Sequence, residues 1–197
     1  EPIRGDMETV EQEGARHIES RVELIPQIGR YIQNSGGKRV RPGIMLYGSS
    51  PFTWKSAAQL DLKVSHRFSA RLIAINDIQP GESVGYGATW TAAQAGRVGV
   101  VAVGYGDGYP RHAGTGTPAW VGGNRIRLIG RVSMDMLAVD LTGAPDACPG
   151  DPVELWGRHV SVDEVAQHAG TIGYELLTGI TARVPRLYED SGNTAAG

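Results

Sequence analysis

Several things are scarce in these 197 residues, and each scarcity closes off a class of protein. There is one cysteine, Cys148, so no disulfide can form within the chain. No apolar run is long enough to cross a bilayer as a helix, and no secretory signal is visible. A reducing cytoplasm is therefore the expected home. Neither sign of charge dominates, since 19 Lys+Arg stand against 21 Asp+Glu for a formal net charge of -2. That balance offers no global field to recruit nucleic acid or an anionic membrane, and the one dense basic run, "KRVR" at 38 to 41, is local. Lysine is rarer still, confined to Lys38, Lys55 and Lys63.

What is present suits a globular fold. Apolar residues make up 41% and charged residues 20%, enough for one substantial core or one domain with an appendage. The first thirty-odd residues have a helical texture: Val22, Ile25, Ile28 and Ile32 recur at helical spacing, and Pro26 suits a first turn. From about residue 64 the pattern changes to short runs bounded by glycine or proline, namely "FSARLIAI", "GRVGVVAVGY", "NRIRLIGRV", "DMLAVDL", "DPVELWG" and "GITARVPRLY". These are spaced as strands. One helix is expected among them, where Ser161 opens the capping box "SVDE" with Glu164 reaching back. The expected fold is mainly β, a β-barrel domain with one short helix, preceded by an N-terminal helical segment and so α+β overall.

Two segments echo each other, "VGYGATW" at 84 to 90 and "VGYGDGY" at 103 to 109. Glycine on both sides of Tyr86 lets backbone or ligand approach while the ring projects. A phenol titrates near ~10, so its use as a base at neutral pH calls for cationic groups or strong hydrogen bonds nearby. By itself a Gly-Tyr-Gly is weak evidence, and a half-buried tyrosine at a strand end outweighs a catalytic one. Asp135 carries separate weight, because a carboxylate in an apolar strand must be exposed or paired.

Taken in order, "VGYGATW", "VGYGDGYPR", "IGRVSMDM", "VDEVA" and "TIGYELLTGITARVPR" resemble the C-terminal domain of alanine racemases. Upstream, "VRPGIMLYGSSP" at 40 to 51 resembles the end of the barrel domain in the same family. The resemblance covers about residues 40 to 188. It implies pyridoxal phosphate as cofactor, alanine as substrate, and a homodimer with shared active sites. In the family, two bases on opposite faces invert the α-carbon, a lysine and a tyrosine, and the tyrosine matches Tyr86. Tyr105 matches a tyrosine lining the substrate entrance. Met134 and Asp135 match a pair whose methionine backbone contacts the substrate carboxylate and whose aspartate narrows the entrance. Tyr174 matches a tyrosine near the cofactor phosphate, and Gly43 and Ile44 match backbone positions that touch it. Arg41 corresponds to the arginine that hydrogen-bonds the pyridine nitrogen. A guanidinium does not give up its proton, so that nitrogen stays unprotonated and carbanion delocalisation into the ring is limited.

The family also carries its Schiff-base lysine in a segment resembling "VKANAYGHG". None of the three lysines here lies in such a context. Residues 7 to 42 instead resemble the beginning of polyprenyl diphosphate synthases, whose "GGKR.RP" motif binds a diphosphate. Gly36, Gly37, Lys38 and Arg41 match it. Lysine and arginine beside a glycine-rich turn suit that anion. The aspartate-rich "DDxxD" motifs of that class are missing, so prenyl transfer is not expected. The division expected is a helical segment at 1–37, a remnant of the racemase barrel at 38–60, the β-domain at 61–190 and a flexible tail at 191–197, joined as in a chimera with its crossover near Val40 to Pro42. Two alternatives to a racemase contribution stand beside it: a non-catalytic β-domain serving as an interaction module, and a module with weak diphosphate binding at Lys38 and Arg41. In either case "GIMLYG" at 43 to 48, a barrel strand in the racemase parent, is expected to dock on a sheet edge or the N-terminal helices, or to drive dimerisation.

Overall fold

The computed structural model describes residues 42–52 and 55–188. The expected helices of residues 1–37, the Lys38 and Arg41 positions and the 191–197 tail lie outside the described residues. Eight strands follow in chain order: β1 Phe68–Ile78, β2 Ser83–Val84, β3 Trp90–Thr91, β4 Gly96–Val101, β5 Pro118–Val121, β6 Asn124–Ile129, β7 Leu137–Asp140 and β8 Pro152–Trp156. Six of them close into a barrel in the order β1-β4-β7-β6-β5-β8, antiparallel throughout, and β2 and β3 form a separate hairpin.

Closure depends on β1. Its first residues, 68 to 71, pair with β8, and those from Leu72 onward pair with β4, with register shifts between Leu72 and Ala74 and between Phe68 and Ser69. A bulge bends a strand and increases its twist, so one eleven-residue strand serves two neighbours and leaves the barrel without an edge. Inside, alternate residues meet in one cluster that includes Leu72, Val101, Val121, Leu128, Val139 and Val153. Trp156 lies against Phe68 at 4.6 Å between ring centroids and stacks on Tyr109 at 5.7 Å. The Tyr109 hydroxyl is buried with no hydrogen-bond partner among the described residues, and burial pushes its titration upward, so it stays a neutral phenol.

Across the outside of the barrel, Arg127 and Asp140 face each other in register on β6 and β7, 2.9 Å apart. Burial works to raise the Asp140 carboxyl, but hydrogen bonds from Thr142 and Arg127 outweigh it and hold it below the ordinary carboxylate value. A depressed carboxyl contributes stability above its unfolded titration range, and that contribution is lost as pH falls through the folded one. Asp140→Asn should thus cost about 0.2–1 kcal/mol at pH 7, and the gap to the native chain should close on acidification below about pH 4. Denaturant unfolding at pH 7 and at pH 3 measures this, and an unchanging gap would contradict it.

The structure corrects three details of the sequence reading. There are two short helices rather than one, α1 at Val162–His168 and α2 at Gly173–Gly179. "GITARVPRLY" is not a strand, because residues after α2 run as turns and irregular chain. "PGIMLY" at 42–47 is a 3-10 turn rather than a strand. It does dock, but beside the helices and not on a sheet edge, for the closed barrel offers none. Ser161 caps α1 as expected, accepting from the Asp163 N–H, whereas Glu164 turns outward to pair with Arg125.

Candidate functional site

Tyr86 sits at the tip of the β2–β3 hairpin and is 79% exposed. Both flanking glycines adopt left-handed backbone, φ +82 at Gly85 and +79 at Gly87, which turns the chain tightly enough to push the ring outward. The base of the hairpin is held: Val84 and Trp90 pair across it and pack on a small buried cluster of Ile78, Ala92, Val98 and Ile129. Gly85 also rests on the backbone of Arg131, where an added Cβ would lie 3.2 Å from its nitrogen. A rigid base thus presents an exposed phenol.

Tyr86, Tyr105 and Met134 line one cleft of about 780 Å³. Two arginines that the sequence reading did not single out, Arg111 and Arg131, line it too, together with His112 and, among the described residues, no carboxylate. The Arg111 guanidinium lies over the Tyr105 ring at 5.8 Å. Both arginines stand inside quoted motifs, "GYGDGYPR" and "IGRVSMDM", and a basic residue at a strand end beside Gly-Tyr-Gly was the signal available. Met134 and Asp135 occupy a turn closed by the Ser133 N–H donating to the Met136 carbonyl at 2.9 Å. Asp135 does not line the cleft. It is exposed and paired with Arg183 at 2.7 Å, and it stands in a turn ahead of β7 rather than in the apolar strand expected for it.

Ile44 and Tyr174 come together elsewhere, on the walls of a second, more apolar cleft of about 400 Å³ between the 42–52 segment and the two helices. Gly43 stands at the exposed start of the 3-10 turn. Sequence reasoning missed what assembles this cleft. Asp163 on α1 accepts from the Ser49 hydroxyl and, at 2.8 Å, from the Ser50 N–H, and Ser49 is wholly buried. A Cβ on Gly173, at the start of α2, would fall 2.5 Å from both the Asp163 carboxylate and the Ser49 hydroxyl. One carboxylate therefore ties the segment carrying Ile44 to α1, and α2, which carries Tyr174, starts directly against that tie. Losing a charge-assisted pair of this kind costs about 1.5–3 kcal/mol. In Asp163→Ala, Ser50 amide hydrogen exchange should accelerate accordingly while β-barrel amides keep their protection. An unchanged Ser50 rate would show that the segment is held by something else.

The profile of the family described as "Alanine racemase, C-terminal domain" matches residues 65–188. The chain belongs to the alanine racemase family. It is 66% identical over 149 residues to the alanine racemase of Marinobacter nauticus, an alignment that takes in 76% of this chain and 42% of that protein. Its fold matches the crystal structure of the biosynthetic alanine racemase of Pseudomonas aeruginosa with a TM-score of 0.73 at 60% identity, over 75% of this chain and 41% of that one. The alanine racemase of Bartonella henselae, solved with covalently bound pyridoxal phosphate, matches at TM-score 0.65 and 30% identity, over 75% of this chain and 40% of that one. The chain thus spans about two fifths of the length of the alanine racemases it matches.

Proposed function

We propose that this chain supplies the tyrosine half of a pyridoxal-phosphate alanine racemase, interconverting L- and D-alanine for cell-wall synthesis in the cytoplasm. The lysine half comes from residues beyond these 197. The observation that carries the reading is Tyr86 exposed on a braced hairpin, in a cleft walled by arginines and, among the described residues, free of carboxylates.

The residues present fit the phosphate end of the cofactor. The first N–H groups of a 3-10 turn have no partner within it, so those of Gly43 and Ile44 are suited to an anion. Tyr174 lines the same cleft as Ile44, a Cβ on Gly43 would meet nothing within 4 Å, and the acidic residue on the wall, Asp163, is occupied by Ser49 and Ser50. Arg41, the match for the pyridine contact, lies outside the described residues. When bound, pyridoxal phosphate acidifies the α-proton of the amino acid attached to it.

The chain's own part is proton transfer and orientation. The Tyr86 hydroxyl takes a proton from, or returns it to, one face of the α-carbon. Among the described residues the Met134 N–H makes no hydrogen bond, which leaves it to the substrate carboxylate, with Arg111 and Arg131 adding attraction for that anion. Tyr105 walls the approach. The cleft holding Tyr86 and the cleft holding Ile44 and Tyr174 share no lining residue. That separation supports a homodimer in which one copy's Tyr86 serves the other copy's cofactor.

The N-terminal resemblance to polyprenyl diphosphate synthases supports a joined origin for residues 7–42, with diphosphate contact at Lys38 and Arg41 as a secondary property. The test of the main reading is α-proton exchange of alanine in deuterated water with pyridoxal phosphate, followed by NMR. The chain alone should give none. Addition of a lysine-bearing barrel domain from a relative should restore it, and a folded mixture that stays silent would count against the proposal.

A further inference from the structure

Three segments distant in sequence meet beside the Tyr86 cleft: the turn 104–109, the turn 133–136 and the strap 179–184 that follows α2. The first two are stitched by backbone bonds, the Tyr105 N–H donating to the Ser133 carbonyl at 3.0 Å and the Gly106 N–H to the Met134 carbonyl at 2.8 Å. The strap is tied to the first turn, where the Thr181 N–H donates to the Asp107 carbonyl at 3.1 Å and the Thr181 hydroxyl to the Gly106 carbonyl at 3.0 Å. Two carboxylates remain. Asp107 accepts from the Gly104 N–H at 3.0 Å and faces the Arg183 Nε at 3.4 Å, while Asp135 accepts from Arg183 Nη2 at 2.7 Å.

We infer that Arg183 is a positioning residue for the substrate end of the site, holding the Met134–Asp135 turn against the Tyr105 turn and keeping the Asp135 carboxylate out of the cleft. The inference rests on the racemase reading for its purpose, though its geometry stands without it. Two carboxylates reaching one guanidinium would repel each other if it were removed. The planar fork of arginine addresses the two from separate nitrogens, Nε and Nη2, whereas a lysine ammonium has a single nitrogen to share between them. The guanidinium also needs the space over Gly106, where a Cβ would lie 2.3 Å from Nη1. Freed of Arg183, the Asp135 side chain can swing from its exposed turn toward the mouth of a cleft whose other charges are all cationic. There it would oppose the carboxylate of an incoming amino acid and displace the Met134 N–H that should receive it.

Amide NMR of the full 197-residue chain tests this. Arg183→Met should shift the Met134, Asp135 and Gly106 signals and speed exchange of the Gly106 amide about two- to fivefold, the range that exposed ion pairs carry. The Val139 and Val153 amides in the barrel should not move. Arg183→Lys should restore these signals only in part. Asp135→Asn should move Met134 the same way, and 1 M salt should push the native chain in that direction too. Met134 and Gly106 signals unmoved in Arg183→Met, or barrel amides moved equally, would overturn the inference. None of these readings depends on turnover, so a chain that fails to racemise leaves them standing, and their failure leaves the racemase reading standing.

Discussion

Tyr86→Phe is expected to abolish racemisation by the assembled enzyme, a loss of about 10²–10⁴-fold in rate for a general acid or base. The loss should be asymmetric. With two bases on opposite faces, removing one leaves the other able to exchange the α-proton it faces, so deuterium should still enter one enantiomer of alanine while conversion between enantiomers stops. Stability should stay the same, because the ring is 79% exposed and the hairpin is anchored through Val84 and Trp90 rather than through its tip. The measurement is exchange and inversion followed separately from L- and D-alanine, with melting temperature as control. If Tyr86→Phe still interconverts the enantiomers at the native rate, another group carries the proton and the functional assignment of the hairpin is lost.

That Tyr86 would project was readable from its two glycines, because a positive φ on either side of one residue is a local property. The barrel strands were readable for the same reason: "FSARLIAI", "NRIRLIGRV" and "DPVELWG" became β1, β6 and β8. Local pattern failed where the partner was distant. "GITARVPRLY" alternates like a strand, yet the barrel already closes between β1 and β8, and Thr181 spends its hydrogen bonds on Gly106 and Asp107 instead. β5 at "PAWV" went unseen because its four residues open on a proline and follow a turn-rich stretch, and α2 because its seven residues are bounded by glycines. Glu164 shows the same competition on a small scale. Its capping-box role fits the local sequence, but Arg125, 39 residues away, offers it an opposite charge.

The candidate site divides along this line. Residues whose role depends on their own turn, Tyr86 and the Met134–Asp135 pair, could be named from motifs. Those that act by joining distant segments, Asp163 to Ser49 across 114 positions and Arg183 to Asp135 across 48, could not. Nothing in "SVDE" says that its first acid, Asp163, reaches a serine before the barrel begins. Such residues touch neither substrate nor cofactor in the proposed reaction, yet they decide where the touching residues stand.

The closeness of the 179–184 strap to the Tyr105 turn can be measured as energy. Gly108 has φ +97, and a Cβ there would sit 2.2 Å from the Gly179 carbonyl oxygen and 2.7 Å from the Ile180 Cα. Gly108→Ala combines a left-handed backbone penalty of about 1–2 kcal/mol with overpacking of about 1–3 kcal/mol, a total of about 2–5 kcal/mol. For a domain of this size that lowers Tm by about 4–20 °C. Gly116 provides the internal reference: its φ is +98, but nothing lies within 4 Å of the added Cβ, so Gly116→Ala carries the backbone penalty alone. The difference between the two melting temperatures is therefore the cost of prising the strap from the turn. Equal losses would mean that the strap yields freely, and a strap that yields freely could not hold Arg183 between Asp107 and Asp135.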